Sequence, residues 1–365
     1  MNLMRGRSGL AIAAAVAVGV AATVVVVAQT GSDANAHDGV VAGTVWVANE
    51  ESDSLTAIDA ATNEVVATVA GIAGPHNVQV SPDGRSIWAV SGHDNTAVMV
   101  DGRSYTLHGV IPTGAHPAHI VVSPDGESVF VTNGDDDSLT AIDVSGMKAM
   151  RRIPVGRYPH GLRPSPDGRY LLVANAKSTT VTLVDARTRT RLADLRVGKA
   201  PVQVAWDRAG RFAYVTLNGE NALAKLDVAA RRVVGKVKVG AGPVQVYVTP
   251  DGKYVLVANQ GTEQRPGRTL SLVETESFRE VGKVETGTGA HGVVVDASSR
   301  HAYVTNIYGG DVSVVDLRER KVVARIPVGE APNGISFSPL APAKPPAATV
   351  RLELEHKENA REKPH

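Results

Sequence analysis

At 365 residues and 38.1 kDa, with 38 Lys plus Arg against 37 Asp plus Glu, the chain has a formal net charge of +1, which gives no support to a strongly basic nucleic-acid protein. It contains no cysteine, which excludes disulfides, thiolate metal sites, cysteine nucleophiles, thioether haem attachment and a lipid held through cysteine. The length suits one large domain or two ordinary ones, and internal repetition favours one.

Arg5 and Arg7 precede an uncharged apolar stretch, residues 10–28, interrupted only by Thr23. This pattern predicts a signal peptide or an N-terminal membrane anchor over residues 1–36, followed by a linker over 37–43. The apolar length supports an anchor, whereas Ala34, Asn35 and Ala36 supply an A-x-A cleavage site, so retention and cleavage both stay open. In either case the rest of the chain is expected outside the cytoplasm, secreted or anchored to the cell membrane by its N-terminus.

From residue 44 the chain repeats itself. Pro75, Pro117, Pro159, Pro201 and Pro243 follow one another at 42 residues, Ala290 comes after 47, and Pro332 after another 42. Asp59, Asp101, Asp143, Asp185, Asp227, Glu274 and Asp316 keep the same intervals, which places five extra residues within 260–269. Each unit reads as short β-branched strands divided by turn residues such as S-P-D-G, where Pro fixes φ, Asp bonds locally and Gly accepts φ > 0. Four antiparallel strands per unit cannot bury both faces alone, so the copies must stack. The expected fold is all-β: a seven-bladed β-propeller of four-stranded antiparallel blades over residues 44–340. The repeats begin in mid-phrase at Thr44 and end on a lone first strand before Leu340, so pairing of the N- and C-terminal segments should close the ring. Residues 341–365 leave the pattern and read as a flexible charged tail, in which residues 349–356, TVRLELEH, could add a short strand.

The phrases Y-V-T-N at residues 303–306, F-V-T-N at 130–133 and L-V-A-N at 172–175 and 256–259, with S-P-D-G and a terminal V-x-V-G, resemble the YVTN-type bacterial β-propeller repeat family. The resemblance covers nearly all of 44–338 and implies fold rather than activity, since similar propellers serve exported binding proteins, lactonases and the histidine-ringed copper domain of nitrous oxide reductase. Ser91 and Leu217 replace the asparagine of the phrase, and residues 207–210 and 296–299 degrade the S-P-D-G turn. The recurring Asn and Asp residues read as turn residues that satisfy backbone groups.

Function is expected where the copies differ. If the first strand lies nearest the axis, as the resemblance implies, the residues after the marker proline ring one mouth of a channel. There His76, Asn77, His119, His160, Gln203, Gln245, His291 and Asn333 are ligand candidates. Imidazoles so placed could bind Cu or Zn, with His76, His160 and His291 as the metal set, or only hydrogen-bond local carbonyls. Turns on the same face carry acids on one side, including Asp135, Asp136 and Asp137, and on the other side Arg157, Tyr158, Lys177, Lys199, Arg265 and Arg268. This asymmetry suits a partner-binding surface.

Asp135 to Asp137 lack the ligand spacing of a helix-loop-helix calcium site, and no phosphate loop, dinucleotide fingerprint or G-x-S-x-G elbow is present. The chain is therefore expected to be a non-catalytic binding scaffold for an envelope protein or a small polar ligand. The alternative is a metal-assisted lactonase-like hydrolase at the propeller mouth. No cofactor is expected beyond a divalent metal as that alternative, nucleic acid is not favoured, and the propeller should be monomeric.

Overall fold

The computed structural model describes residues 41–343 and 348–353. The expected signal or anchor segment, the first part of the linker and the remainder of the tail lie outside the described residues. Among the described residues, no helix is long and apolar enough to cross a membrane.

Seven antiparallel sheets form, each running outward from an inner strand. The inner strands are Pro332–Ser338, Val78–Val80, Pro117–Val122, Pro159–Pro164, Pro201–Trp206, Pro243–Val248 and Ala290–Val295, which head blades 1 to 7 in that order. Each inner strand contacts the next, and Ala290–Val295 returns to Pro332–Ser338, so the ring closes about a central axis. Blade 1 is made from both ends of the repeat region: Thr44–Asn49 pairs antiparallel with Pro332–Ser338, Thr44 opposite Ser338 and Val47 opposite Ile335. Among the described residues, helix is confined to two single 3-10 turns, Gly134–Asp136 and Asn218–Glu220.

Burial follows the stacking. The inner strand Pro117–Val122 and the second strand Thr44–Asn49 are buried along their whole length, whereas an outermost strand such as Arg232–Lys238 alternates exposed and half-buried positions. Inner strands are covered on both faces by neighbouring blades, while outer strands have one wet face. The third residue of every second strand is a large apolar side chain: Trp46, Trp88, Phe130, Leu172, Tyr214, Leu256 and Tyr303, all buried. Each anchors one cluster that spans the seam to the next blade, as Trp46 does with Val78 and Ile87, and Tyr303 with Val45 and Val47 across the closure. Burying each such side chain contributes about 1.5–3 kcal/mol, so stability lies mainly between blades.

The repeat asparagines do more than close turns. Asn133 is fully buried and donates from Nδ2 to Ser138 Oγ and Thr140 Oγ1, both at 3.0 Å, while its Oδ1 accepts the Gly114 N–H at 2.9 Å. Asn306 repeats this with Ser313 and Gly287, which ties second strand, third strand and the link from the preceding blade together. The aspartates after the third strand do satisfy turn backbone: Asp101 Oδ1 accepts the N–H groups of Arg103 and Ser104 at 2.9 and 2.7 Å.

The five extra residues lengthen one hairpin of blade 6, Tyr254–Thr262 with Arg265–Glu274, paired out to Thr262 and Arg265. Beyond the propeller, Ala348–Arg351 adds a parallel fifth strand to Glu64–Ala70, the strand option in the tail. The exposed edge of Glu64–Ala70 offers unpaired backbone groups, and Leu352 buries beside the Trp46 cluster, which gives the segment reason to dock.

Candidate functional site at the axial mouth

The inner strands start irregularly. Proline has no N–H for the ladder, and the pairing register skips between Pro117 and Ile120, Pro159 and Leu162, Pro201 and Val204, and Pro243 and Val246. The skipped residues include His119, His160, Gln203 and Gln245, so these leave the pleat. The threonine of V-T-N stabilises the break. Thr132 Oγ1 accepts the His119 N–H at 2.9 Å and donates to the His160 carbonyl of the next blade at 2.8 Å. Thr216 does the same for Gln203 and Val244, and Thr305 for Gly292 and Asn333.

The consequence is a convergence of imidazoles. One ring nitrogen from each of His76, His119 and His160 lies within 4.8 Å of the others. His76 and His160 are half-buried, and His119 is fully buried. His291, placed in the metal set by sequence, is buried nearby with its ring centroid 6.4 Å from that of His76. His119 takes the place nearer the cluster, its ring 4.7 Å from that of His160.

Hydrogen-bond partners assign the tautomers of His160 and His291. His76 Nδ1 is 3.3 Å from each carboxylate oxygen of Glu50, and His160 Nδ1 is 3.3 Å from the Val202 carbonyl. The Val202 oxygen only accepts, so His160 Nδ1 carries the proton and its Nε2 presents a lone pair, whereas His76 Nδ1 has both the Glu50 carboxylate and, at 3.0 Å, the donor Asn333 Nδ2 beside it. The Nε2 atoms of His76 and His160 face each other at 3.3 Å. His291 Nδ1 is fixed in the same way by the Asn333 carbonyl at 3.3 Å. His119 Nδ1 has a long 3.4 Å contact with the Gln203 amide, and its Nε2 is buried with no partner.

Electrostatics keeps the rings of His119, His160 and His291 neutral. Burial, then the neighbouring imidazoles, hold His119 well below the ordinary histidine pKa. The same causes bring His160 to about 3 and His291 to about 4. For Glu50, burial pushes upward, but the His76 hydrogen bond and charge and the Asn333 amide outweigh it and lower the carboxyl to about 2. Asn333 Nδ2 donates to Glu50 Oε2 at 2.7 Å. Asn77 accepts the Ile120 N–H at 3.3 Å, and Gln203 donates to Gln245 at 3.2 Å, a buried polar layer beneath the rings.

Sequence reasoning left Glu50 among the outer turns. The available signal was its repeat position: the residue after the asparagine position of the repeat phrase is Glu50, Gly92, Gly134, Ala176, Asn218, Gln260 and Ile307 in turn, and a carboxylate occurs there once.

The rim residues surround this mouth, and much of their bonding is structural. Asp137, with φ 49°, accepts the Tyr158 N–H at 2.7 Å, and Asp136 accepts from Ala115 N–H and Arg152, at 2.9 and 2.8 Å. Asp135 is exposed. Lys177 lies 3.7 Å over the Tyr158 ring, and Arg157 donates to the Lys177 carbonyl at 2.7 Å. Lys199 gives its N–H to Glu220 at 2.7 Å. Arg265 turns the long hairpin, and the Arg268 carbonyl accepts from Thr286.

A family model described as YNCE-like beta-propeller matches residues 39–144 and 84–341. No curated protein matches the sequence. Solved structures share the fold at low identity. A chain of Kuenenia stuttgartiensis hydrazine synthase is 21% identical with a TM-score of 0.67, covering 73% of this chain and 90% of its own. A functionally unknown protein from Desulfotomaculum acetoxidans is 16% identical with a TM-score of 0.71, covering 82% and 99%. A Bacteroides uniformis protein described as a putative 6-phosphogluconolactonase is 16% identical with a TM-score of 0.68, covering 81% and 99%. Likeness at this level carries the fold alone.

Proposed function

Because the chain belongs to the YNCE-like beta-propeller family, whose fold fixes no activity, we propose from the site itself that it is a non-catalytic binding propeller. Its small polar ligand is a divalent transition-metal ion of the Zn or Cu type, held at the axial mouth. One observation carries this reading: one ring nitrogen from each of His76, His119 and His160 lies within 4.8 Å of the others, with the Nε2 atoms of His76 and His160 3.3 Å apart. A proton on one ring bridges that distance, and so does a metal ion, which would also engage His119. Imidazole nitrogens about 2.0–2.1 Å from a tetrahedral Zn²⁺ stand roughly 3.3–3.4 Å apart. His119 supplies a third nitrogen, and Glu50 and Asn333 orient His76 from behind, the usual arrangement around a ligating imidazole. Imidazole without thiolate suits Zn²⁺, Cu²⁺ or Ni²⁺ rather than Mg²⁺ or Ca²⁺.

An envelope protein docked on the charged rim is less well supported, because Asp136, Asp137 and Glu220 are engaged within and between blades. The hydrolytic alternative, favoured by the likeness to a protein described as a putative 6-phosphogluconolactonase, would use the same ion to activate water. It lacks a free general base, since Glu50 is engaged by His76 and Asn333. The reading includes an extracytoplasmic location, supported by Arg5, Arg7 and the apolar residues 10–28.

The full chain purified without a histidine tag, stripped with EDTA and titrated with ZnSO4 or CuSO4 should take up one ion per chain. A His76→Ala/His160→Ala variant of unchanged melting temperature should take up none. Equal uptake by the variant removes the proposal, and turnover in a lactone panel that depends on the ion would replace it with the hydrolase.

A further inference from the structure

The opposite half of the axial channel holds a cation without a counter-charge. Arg163 lies in the inner strand Pro159–Pro164, three residues beyond His160 and roughly 10 Å along the strand from it. It lines a cavity of about 350 Å3 that opens on the S-P-D-G side, where Pro124 and Pro166 contribute to the wall. Among the described residues no carboxylate is within ion-pair distance of its guanidinium. Its hydrogen bonds to protein are two long ones, to Gln79 Oε1 at 3.4 Å and to the Leu162 carbonyl at 3.5 Å, so most of the guanidinium fork is unused. Arg163 and Tyr247 are both half-buried and face the same cavity, where burial lowers the guanidinium pKa and raises that of the phenol.

A partly buried charge without a partner is unfavourable, and an anion that pairs with it offsets that cost. Gln79, Ser165 and Ser336 add polar groups, and the remaining wall is mainly apolar or aromatic, with Val121, Ala205, Val294 and Ile335 beside Trp206 and Tyr247. The size is within the range of small-molecule sites. We propose that this cavity binds a small organic carboxylate, whose two oxygens pair with the Arg163 guanidinium while its apolar body packs on Trp206 and Tyr247. A monoanion fits better than phosphate, because Arg163 is the sole cation in the lining and a dianion would keep an uncompensated charge. The site is separate from the histidine mouth and does not depend on metal there.

The test uses benzoate on the full chain in EDTA, followed by calorimetry and by thermal melting. Benzoate should bind saturably and raise the melting temperature, uncharged benzamide should do neither, and Arg163→Gln should weaken benzoate at least about tenfold. Removing an unpaired charge should leave the melting temperature of the unliganded variant equal or higher. Benzamide binding as well as benzoate, inorganic phosphate displacing benzoate at equal concentration, or unchanged binding by Arg163→Gln would each overturn the proposal. The benzoate and benzamide comparison needs no variant, so it decides the matter even if Arg163→Gln does not fold.

Discussion

His76 Nε2 lies 3.3 Å from His160 Nε2, although 84 residues and the whole of blade 3 separate them. Neither strand alone brings the rings together. His160 leaves the pleat at the register skip between Pro159 and Leu162, His76 lies in the unpaired lead into Val78–Val80, and the ring of blades makes positions that are remote in sequence neighbours.

Glu50 orients His76 without itself belonging to the three converging nitrogens. Glu50→Gln should therefore weaken Zn²⁺ affinity by about 10–100-fold and leave folding intact, as read by competition with a chromogenic chelator. An affinity equal to that of the unaltered chain would show that Glu50 does not act through His76.

Thr216 Oγ1 joins the Gln203 N–H of its own blade to the Val244 carbonyl of the next, at 3.0 and 2.7 Å, in full burial. Thr216→Val keeps the shape and strands both backbone groups, which should cost about 1–3 kcal/mol in urea unfolding. Metal uptake should persist, since blades 5 and 6 contribute none of the three converging nitrogens.

Closure makes the last inner strand matter more than its length. A chain stopped after Ala331 loses Pro332–Ser338, leaves Thr44–Asn49 as a bare edge and opens the seam packed by Tyr303. Cooperative thermal unfolding should vanish. A chain stopped after Ala343 loses only the parallel strand Ala348–Arg351 and should still melt cooperatively, at a lower temperature and with more aggregation from the uncovered Glu64–Ala70 edge.

In the S-P-D-G turns, Ser81, Ser123 and Ser165 donate to Asp83, Asp125 and Asp167, and these hydroxyls, followed by turn N–H groups, hold the three carboxyls below the ordinary aspartate pKa. A folded pKa below the unfolded one means that the stabilisation is complete above about pH 4 and is lost as pH falls through the depressed values. The urea midpoint should fall from about pH 6.5 downward, as the unfolded chain protonates His119, His160 and His291 while the folded one does not, and the aspartates should steepen the drop below about pH 4. A Ser81→Ala/Ser123→Ala/Ser165→Ala variant should show a shallower drop, and an identical acid profile would assign the loss to other groups.

The fold was legible because it is periodic. Two independent markers at 42 residues, Pro75 to Pro243 and Asp59 to Asp227, set blade size and number, and the half-phrases at Thr44 and Pro332 showed how the ring closes. The long hairpin Tyr254–Thr262 with Arg265–Glu274 was equally visible as the single break in spacing. Local turn chemistry and strand alternation are short-range properties, so a sequence states them directly.

The sites were legible only as a set of exceptions. His76, His119, His160 and His291 stood out at the mouth, but which of them converge depends on ring orientation, and that follows from Glu50, Val202, Asn333 and the skipped register. Arg163 carried no signal at all: its meaning lies in the absence of a carboxylate around a cavity whose walls come from several blades. Repeat spacing by itself determined the architecture, because each blade specifies itself and needs only a like neighbour. Pairing, desolvation and ligand geometry were decided by the tertiary structure, because they arise from groups brought within a few ångströms at the axis of the closed ring.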